Sequence, residues 1–305
     1  MNLRHIEIIL AIEAAGSLRG AAKVLGRTQP ALTKALRQAE ADLGMAIFER
    51  SPSGVVPTEQ GRAVLRRGRI IQAELRRMQD DVRQMQGQLD GQLRITVSPL
   101  AAARFVPAAL RRFQKRFPRV HVQISGGHEP MAFGPLRSGD VDFVIGPAPQ
   151  GTGANGLSVA EIVRTPIAIV TGLGSCHANA TSVVDLLDAK WIMIGPRERQ
   201  PIVAGYLREM GLEPPIPVIN SDSILSILTM LKGSDLVCTF PTLLLDEIEP
   251  IWPIRRIPIA ETFDLVSIAI THSSDSPLTS AGQYFRDCVL AVAEEFDRLQ
   301  RDNQK

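Results

Sequence analysis

The chain has 305 residues, 45 % of them apolar and 22 % charged, with a formal net charge of +2, so it can build two or three folded units and is too apolar to be disordered. The near-neutral total hides an asymmetry: residues 1 to 90 hold 14 Lys and Arg against 10 Asp and Glu, net +4, which leaves the remainder at −2. Phe48 is the only aromatic residue before position 91, so the basic end lacks stacking platforms for single-stranded nucleic acid, and a duplex is the expected anionic partner.

The opening MNLRHIEIILAIEAAG is interrupted by Arg4, His5, Glu7 and Glu13, unlike a signal peptide, and no apolar run reaches membrane-spanning length; a cytoplasmic location is expected. Ser17 is a good N-cap, and Leu18, Ala21, Ala22 and Leu25 follow at helical spacing until Gly26 supplies a stop. Thr28 can cap a second helix with Pro30 in its first turn, where the missing N–H costs little. Leu32, Leu36, Ala39 and Leu43 form its buried stripe. Gln29, Thr33, Lys34 and Arg37 form the opposite one, of the residue types that meet base edges and phosphates. Two helices about a tight turn, the second so faced, suit docking in a major groove; an ordinary amphipathic pair with a solvated outer face fits the same pattern.

The next run, IFERSPSGVVPTEQG, sets Ile47, Phe48, Val55 and Val56 on either side of Arg50, Ser51, Pro52, Ser53 and Gly54, a hairpin with a basic tip that can lie along a DNA backbone or minor groove. Ser17, Ala21, Ala22, Leu25, Gln29, Pro30, Leu32, Thr33, Leu36, Leu43, Phe48, Arg50, Thr58 and Gly61 stand in the order and spacing of the LysR-type transcriptional regulators. Residues 1 to about 62 therefore resemble that family's DNA-binding domain, and the chain length fits it. Two departures are visible: Thr33 replaces the usual Ser, and the usual acidic residue after the Leu/Ala stripe stands as Glu40. The DNA-contacting set carried over is Ser17, Arg19, Thr28, Gln29, Pro30, Thr33, Lys34, Arg37, Arg50 and Ser53.

Val64, Gly68, Ile71, Leu75, Met78, Val82, Met85 and Leu89 recur at alternating steps of four and three, a coiled-coil seam in a linker helix over 59–90 that Gly91 is expected to end. Its flanks carry Arg66, Arg67, Arg69, Arg76, Arg77 and Arg83, so the helix is expected to find a partner helix and form a homodimer. The resemblance implies further assembly into a homotetramer. Cys176, Cys238 and Cys288 are too far apart in sequence for a metal pair and read as reduced packing residues; the resemblance makes a redox role for Cys176 or Cys238 conceivable.

Beyond Gly91 the short runs LRITVS, VHVQISGG, VDFVIGP, TPIAIVTG, KWIMIG, PIPVINS, SDLVCTF and FDLVSIAIT alternate with helical stretches such as AAARFVPAALRRFQKRFP, which predicts an α/β domain over 91–305 with a ligand site beyond the strand ends. The resemblance implies two α/β subdomains like a type 2 periplasmic binding protein, mapped to 92–163 with 269–302 and to 164–268. The expected cleft residues are Ser98, Pro99 and Leu100, which open a helix; Ser125, Gly126, Gly127 and His128; Gly146 and Pro147. The second subdomain is expected to add Ile194, Gly195 and Arg197, then Asn220, Ser221 and Ser223, and Phe240 with Pro241. Hydroxyls, helix N-termini and a guanidinium point to a carboxylate or sulfonate ligand over an aromatic face. Ser98 and Ser223 also suit simple N-caps, His128 an exposed loop, and Arg197 a solvated charged turn.

The five histidines are scattered, and HExxH, GxSxG, Walker loops and cofactor signatures are absent from the sequence, so no enzyme and no cofactor are expected. The resemblance implies a ligand-responsive regulator that binds promoter DNA, with RNA polymerase as a further partner. A cytosolic solute-binding or sensor protein whose basic end only dimerises it is the alternative, and an enzyme on a binding-protein scaffold is a third.

Overall fold

The computed structural model describes residues 1–51, 54–127, 132–195 and 202–303, which fall into two units, the first of Met1–Gly87 with Arg137–Asp140 and the second of the remainder. The first unit opens with α1 (Leu3–Ala15), capped by Asn2, whose side chain accepts from the His5 N–H at 3.0 Å. The sequence reading left this segment unassigned, yet Ile6, Ile8, Ile9, Leu10 and Ile12 are buried and centre the core on it. Burying an Ile or Leu contributes roughly 1.5–3 kcal/mol, which makes α1 the main apolar surface of the unit.

Around α1 pack α2 (Leu18–Val24) and α3 (Gln29–Leu43), followed by the hairpin strands β1 (Phe48–Ser51) and β2 (Gly54–Pro57), then α4 (Glu59–Met85). Leu32, Leu36, Ala39, Ile47, Phe48 and Leu65 complete the core. A side chain at Gly61 would place Cβ 1.9 Å from the Ile47 carbonyl oxygen, so only glycine lets α4 begin against the hairpin.

Two expectations for α4 change. Leu65 and Gly68 face the core and α1, so the first third packs on its own unit; farther on, Ile71, Met78, Val82 and Met85 are exposed. The helix also ends earlier than Gly91: Gly87, at φ +79°, supplies the left-handed residue, while Gly91 lies within the next strand. Leu89 accordingly packs against the core of the second unit instead of ending the seam.

The second unit runs β3 (Asp90–Val97), a π-helical turn (Ala101–Phe105) continuing as α5 (Val106–Arg116), β4 (Arg119–Gly126), α6 (Phe133–Arg137), β5 (Phe143–Pro147), β6 (Leu157–Thr165), β7 (Ile167–Gly172) and β8 (Lys190–Ile194). Then come α7 (Val203–Glu209), β9 (Ile219–Ser221), α8 (Ile224–Leu231), β10 (Leu236–Pro241), α9 (Thr242–Ile248), β11 (Ile254–Arg256), β12 (Val266–Ser273) and α10 (Ser280–Asn303). They build two five-stranded mixed sheets, ordered β4-β3-β5-β12-β6 and β11-β7-β10-β8-β9. In the first, β3 pairs parallel to β4 and β5, and β12 runs antiparallel to β5 and β6.

The chain leaves the first sheet at Pro166 and re-enters it at Val266, so the borders expected after 163 and 268 lie inside β6 and β12. The strand β6, absent from the sequence reading, is a sheet edge that exposes Val159, Glu161 and Arg164, two of them charged, which blurs its strand pattern. Helix α10 packs on α5, where Phe113 stacks on Phe117 at 5.3 Å and meets Phe285 edge-on at 5.6 Å. This aromatic clamp fixes the helical segment that Ser98, Pro99 and Leu100 lead into.

Candidate functional site

On α3, Gln29, Pro30, Lys34 and Arg37 are exposed and Thr33 half-exposed, and together with Gln38 they line one open depression on the outer face. Thr33 donates its hydroxyl proton to the Gln29 carbonyl at 3.0 Å, so its remaining lone pairs face outward as acceptors for base amino groups. Ser17 and Thr28 cap their helices, accepting from the Gly20 and Ala31 N–H groups at 3.1 and 3.4 Å, which leaves each hydroxyl proton available to an acceptor. The caps aim α2 and α3, with Arg19 exposed one residue into α2.

Arg50 lies on β1 opposite Val55, and Ser53 falls outside the described residues. Glu40, on the last turns of α3, accepts at Oε1 from the Ile47 N–H at 2.8 Å and from that of Phe48 at 3.4 Å. The carboxylate therefore ties the hairpin to the helix it flanks. The sequence reading did not single out Arg4 or Arg27, which border a second depression shared with Lys34 and Gln38.

In the second unit a cavity of about 380 Å³ lies where the two sheets meet. Of the expected residues, Ser98, Pro99, Leu100, Pro147 and Phe240 line it, as do Ile194 and Pro241. The buried Ser98 receives the Ala101 N–H at 3.4 Å, which leaves its hydroxyl proton available to the cavity. Leu100, Phe240 and Leu244 form an apolar wall that Met193, Val266 and Ile268 extend.

The remaining expectations resolve differently. Gly146 lacks a side chain because Ser98 approaches it: a Cβ there would meet that of Ser98 at 3.1 Å. At Gly127 a Cβ would stand 2.2 Å from the Thr96 methyl, so that glycine serves packing, and Gly126 is exposed on an edge strand away from the cavity. Gly195 ends β8 at φ +102°, donating to Ser221, while Asn220 sits on β9. Ser223 caps α8, accepting from the Ser226 N–H at 3.2 Å, and Ser221 accepts from Ser223. None of these four lines the cavity. His128 and Arg197 lie outside the described residues.

Residues missed by the strand-end rule are Ile167, Thr239, Gln150 and Ile202, together with Met193, Val266 and Ile268. Among the described residues, Ser98, Thr239 and Gln150 are the polar side chains of the lining, and no charged one joins them. The Thr239 hydroxyl makes no hydrogen bond among the described residues, while the residue's main-chain carbonyl accepts from Cys238 Sγ at 3.8 Å.

Of the cysteines, Cys238 and Cys288 are buried and Cys176 is exposed. Desolvation and the neighbouring Asp235 hold the Cys176 thiol above its ordinary value, opposite to the shift that activates a sulfur nucleophile. Among the described residues there is no group of three His, Cys, Asp or Glu that could hold a metal, and no helix long and apolar enough to cross a membrane.

A winged helix-turn-helix joined through a long helix to a two-sheet α/β domain with a cavity where the sheets meet defines a class of DNA-binding regulator. Residues 3–62 match the bacterial regulatory helix-turn-helix protein, lysR family, and residues 86–294 match the LysR substrate binding domain. The chain belongs to the LysR family and is a DNA-binding transcriptional regulator. It is 26 % identical over 297 residues to the HTH-type transcriptional regulator GalR of Pseudomonas putida, covering 96 % of this chain and 74 % of the relative. GbpR of Azospirillum brasilense is also 26 % identical, over 299 residues, covering 96 % and 87 %.

The crystal structure of CbnR, a LysR family transcriptional regulator, superposes with a TM-score of 0.67 at 20 % identity, covering 96 % of this chain and 99 % of that one. Full-length CbnR complexed with its target DNA gives 0.65 at 20 % identity, covering 96 % and 100 %. At that identity the two structures bear on the fold.

Proposed function

We propose that this regulator binds promoter DNA in the cytoplasm as a dimer or dimer of dimers, and that a small molecule entering the second-unit cavity switches its output. The observation that carries the DNA part is the outer face of α3, where Gln29, Thr33, Lys34 and Arg37 share one open depression. Base edges in the major groove suit those side chains, and the wing with Arg50 adds backbone attraction. The exposed row Ile71, Met78, Val82 and Met85 on α4 supports pairing with a second copy. Two recognition helices on one duplex would then share the work of specificity.

The cavity supports an effector with an apolar body of modest size and one polar end held at Ser98 and Thr239, the end a carboxylate or sulfonate would supply. A ligand that prefers one arrangement of the two sheets shifts the assembly, and with it DNA bending or RNA polymerase contact. Catalysis plays no part in this reading.

The deciding experiment is a genome-fragment pull-down at physiological salt with sequencing of the retained DNA, run beside Gln29→Ala/Arg37→Ala. Discrete two-fold-related sites that vanish in the double variant, with oligomer mass unchanged, are expected. Retention without enriched sites in either protein would sink the operator reading.

A further inference from the structure

Beside the face of α3 that holds Gln29 and Arg37 lies a second depression of about 330 Å³, between the flank of α3 and the start of α1. Arg27, Ala31, Lys34 and Gln38 fall along that flank at helical spacing, and Arg4 stands across from them on α1. The charged groups of Arg4, Arg27 and Lys34 are exposed and carry no hydrogen bond or ion pair among the described residues. Three like charges around one hollow concentrate positive potential there, which favours an anion seated among them.

Two acids stand nearby and neither fills the role. Glu7 lines the adjoining groove with Arg4 and Arg27 but forms no ion pair with either among the described residues. Asp42 is occupied by the Met1 amino group at 2.6 Å and by Gln38 Nε2 at 2.8 Å, contacts that also hold its carboxyl below the ordinary range. The hollow is also joined to the recognition face, since Lys34 and Gln38 line both depressions. A helix lying in the major groove has a sugar-phosphate strand on each side, so the flank facing α1 meets one of them. Ala31, short and exposed between Arg27 and Lys34, leaves room for a phosphate to come close.

We propose that Arg27 and Arg4, together with Lys34, seat a backbone phosphate of the bound duplex, so that the DNA interface extends from the reading face of α3 onto the turn before it and the start of α1. This rests on the DNA-binding reading above. Such a contact carries no sequence information; it fixes register and adds counterion release.

The test is fluorescence anisotropy of the full-length protein with a labelled 30-base-pair duplex of mixed sequence, across a potassium chloride series. Duplex affinity falls with log salt at about −0.9 per phosphate neutralised, so Arg27→Ala and Arg4→Ala should each make the slope shallower by up to about that amount. The same relation makes the loss about five-fold at 0.15 M salt. Arg27→Lys keeps the charge and should keep the slope, and Arg119→Ala in the second unit should leave it untouched. Melting curves and mass measurements should be unchanged, because both arginines are exposed.

Wild-type slopes in both alanine variants would overturn the phosphate seat while leaving the regulator reading intact. An altered oligomer mass with an unaltered slope would overturn it too, assigning these arginines to contact with a second copy across the neighbouring groove bordered by Ile71 and Leu75. A wild-type protein that binds no duplex at any salt would remove both readings together.

Discussion

Glu40 Oε1 accepts the Ile47 N–H at 2.8 Å, so the recognition helix and the wing are joined by one carboxylate across the turn that separates them. Ile47 is fully buried, so without this carboxylate its N–H would lose its acceptor beside the core. A hydrogen bond to an ionised acceptor contributes roughly 1.5–3 kcal/mol in such a setting. Glu40→Ala should lower the melting stability of the protein by about 1–2 kcal/mol. It should also weaken duplex binding more than that loss explains, because the wing drifts from its aim. Calorimetric melts beside anisotropy would show it, and unchanged affinity at full occupancy of the folded state would mean the wing is held by other contacts.

The exposed row on α4 leads to a separate prediction. Met78 is 57 % exposed, Val82 48 % and Met85 82 %, values that a lone helix tolerates poorly over such a length. Met78→Glu with Val82→Glu places charges in that seam without touching Leu65 or Gly68, which hold α4 to its own unit. The variant should sediment at a lower mass than the wild type while keeping its helical signal. Operator affinity should fall at least ten-fold, as two half-sites are no longer engaged together. Retained mass would place the self-association surface elsewhere.

What the sequence made legible follows from punctuation. Ser17, Gly26, Thr28 and Pro30 mark the bounds of α2 and the start of α3, and each does locally what its chemistry requires, so those helices were readable. The first helix is also punctuated, by Asn2 and Gly16, but Ile6, Ile8, Ile9 and Leu10 crowd one short stretch whose apolar run does not by itself separate helix from strand. Gly87 and Gly91 both suit a helix stop, and the choice between them depends on where β3 finds its partner strands.

In the cavity, Ser98, Leu100, Pro147 and Phe240 were found because strand ends gather ligands. Ile167, Met193, Val266 and Ile268 were not, since an inward-facing residue near a strand end looks like any core residue. Gly127 and Gly146 have a packing reason for their glycines in Thr96 and Ser98, and neither lines the cavity.

The polar end of the cavity is open to direct test. Ser98 and Thr239 each have hydroxyl capacity left over, set in a lining otherwise formed mainly by residues such as Leu100, Phe240 and Val266. Thr239→Val keeps shape and removes the hydroxyl, so stability should change little. Affinity for an apolar monocarboxylate should drop about ten-fold, the equivalent of one lost hydrogen bond near 1.4 kcal/mol. Titration calorimetry of both proteins against aromatic and branched-chain monocarboxylates would check this. Equal affinities for every binding ligand would assign the polar end to another group.

The last prediction concerns Cys176, the exposed thiol. Its backbone N–H donates to Asp235 Oδ1 at 2.8 Å, which holds that carboxyl below its usual range. Desolvation first, and then the same carboxylate, push the thiol above its ordinary value of 9.0. The sign is plain: thiolate is disfavoured, so at neutral pH Cys176 should react with a disulfide reagent more slowly than free cysteine, and its rate should climb only as pH passes the ordinary thiol value. Asp235→Asn removes the negative charge and should shift that climb to lower pH. Because Cys238 and Cys288 are buried, the fast phase of labelling reports Cys176 alone. A fast, pH-independent reaction near neutrality would show an activated thiol and revive an oxidant-sensing role for this cysteine.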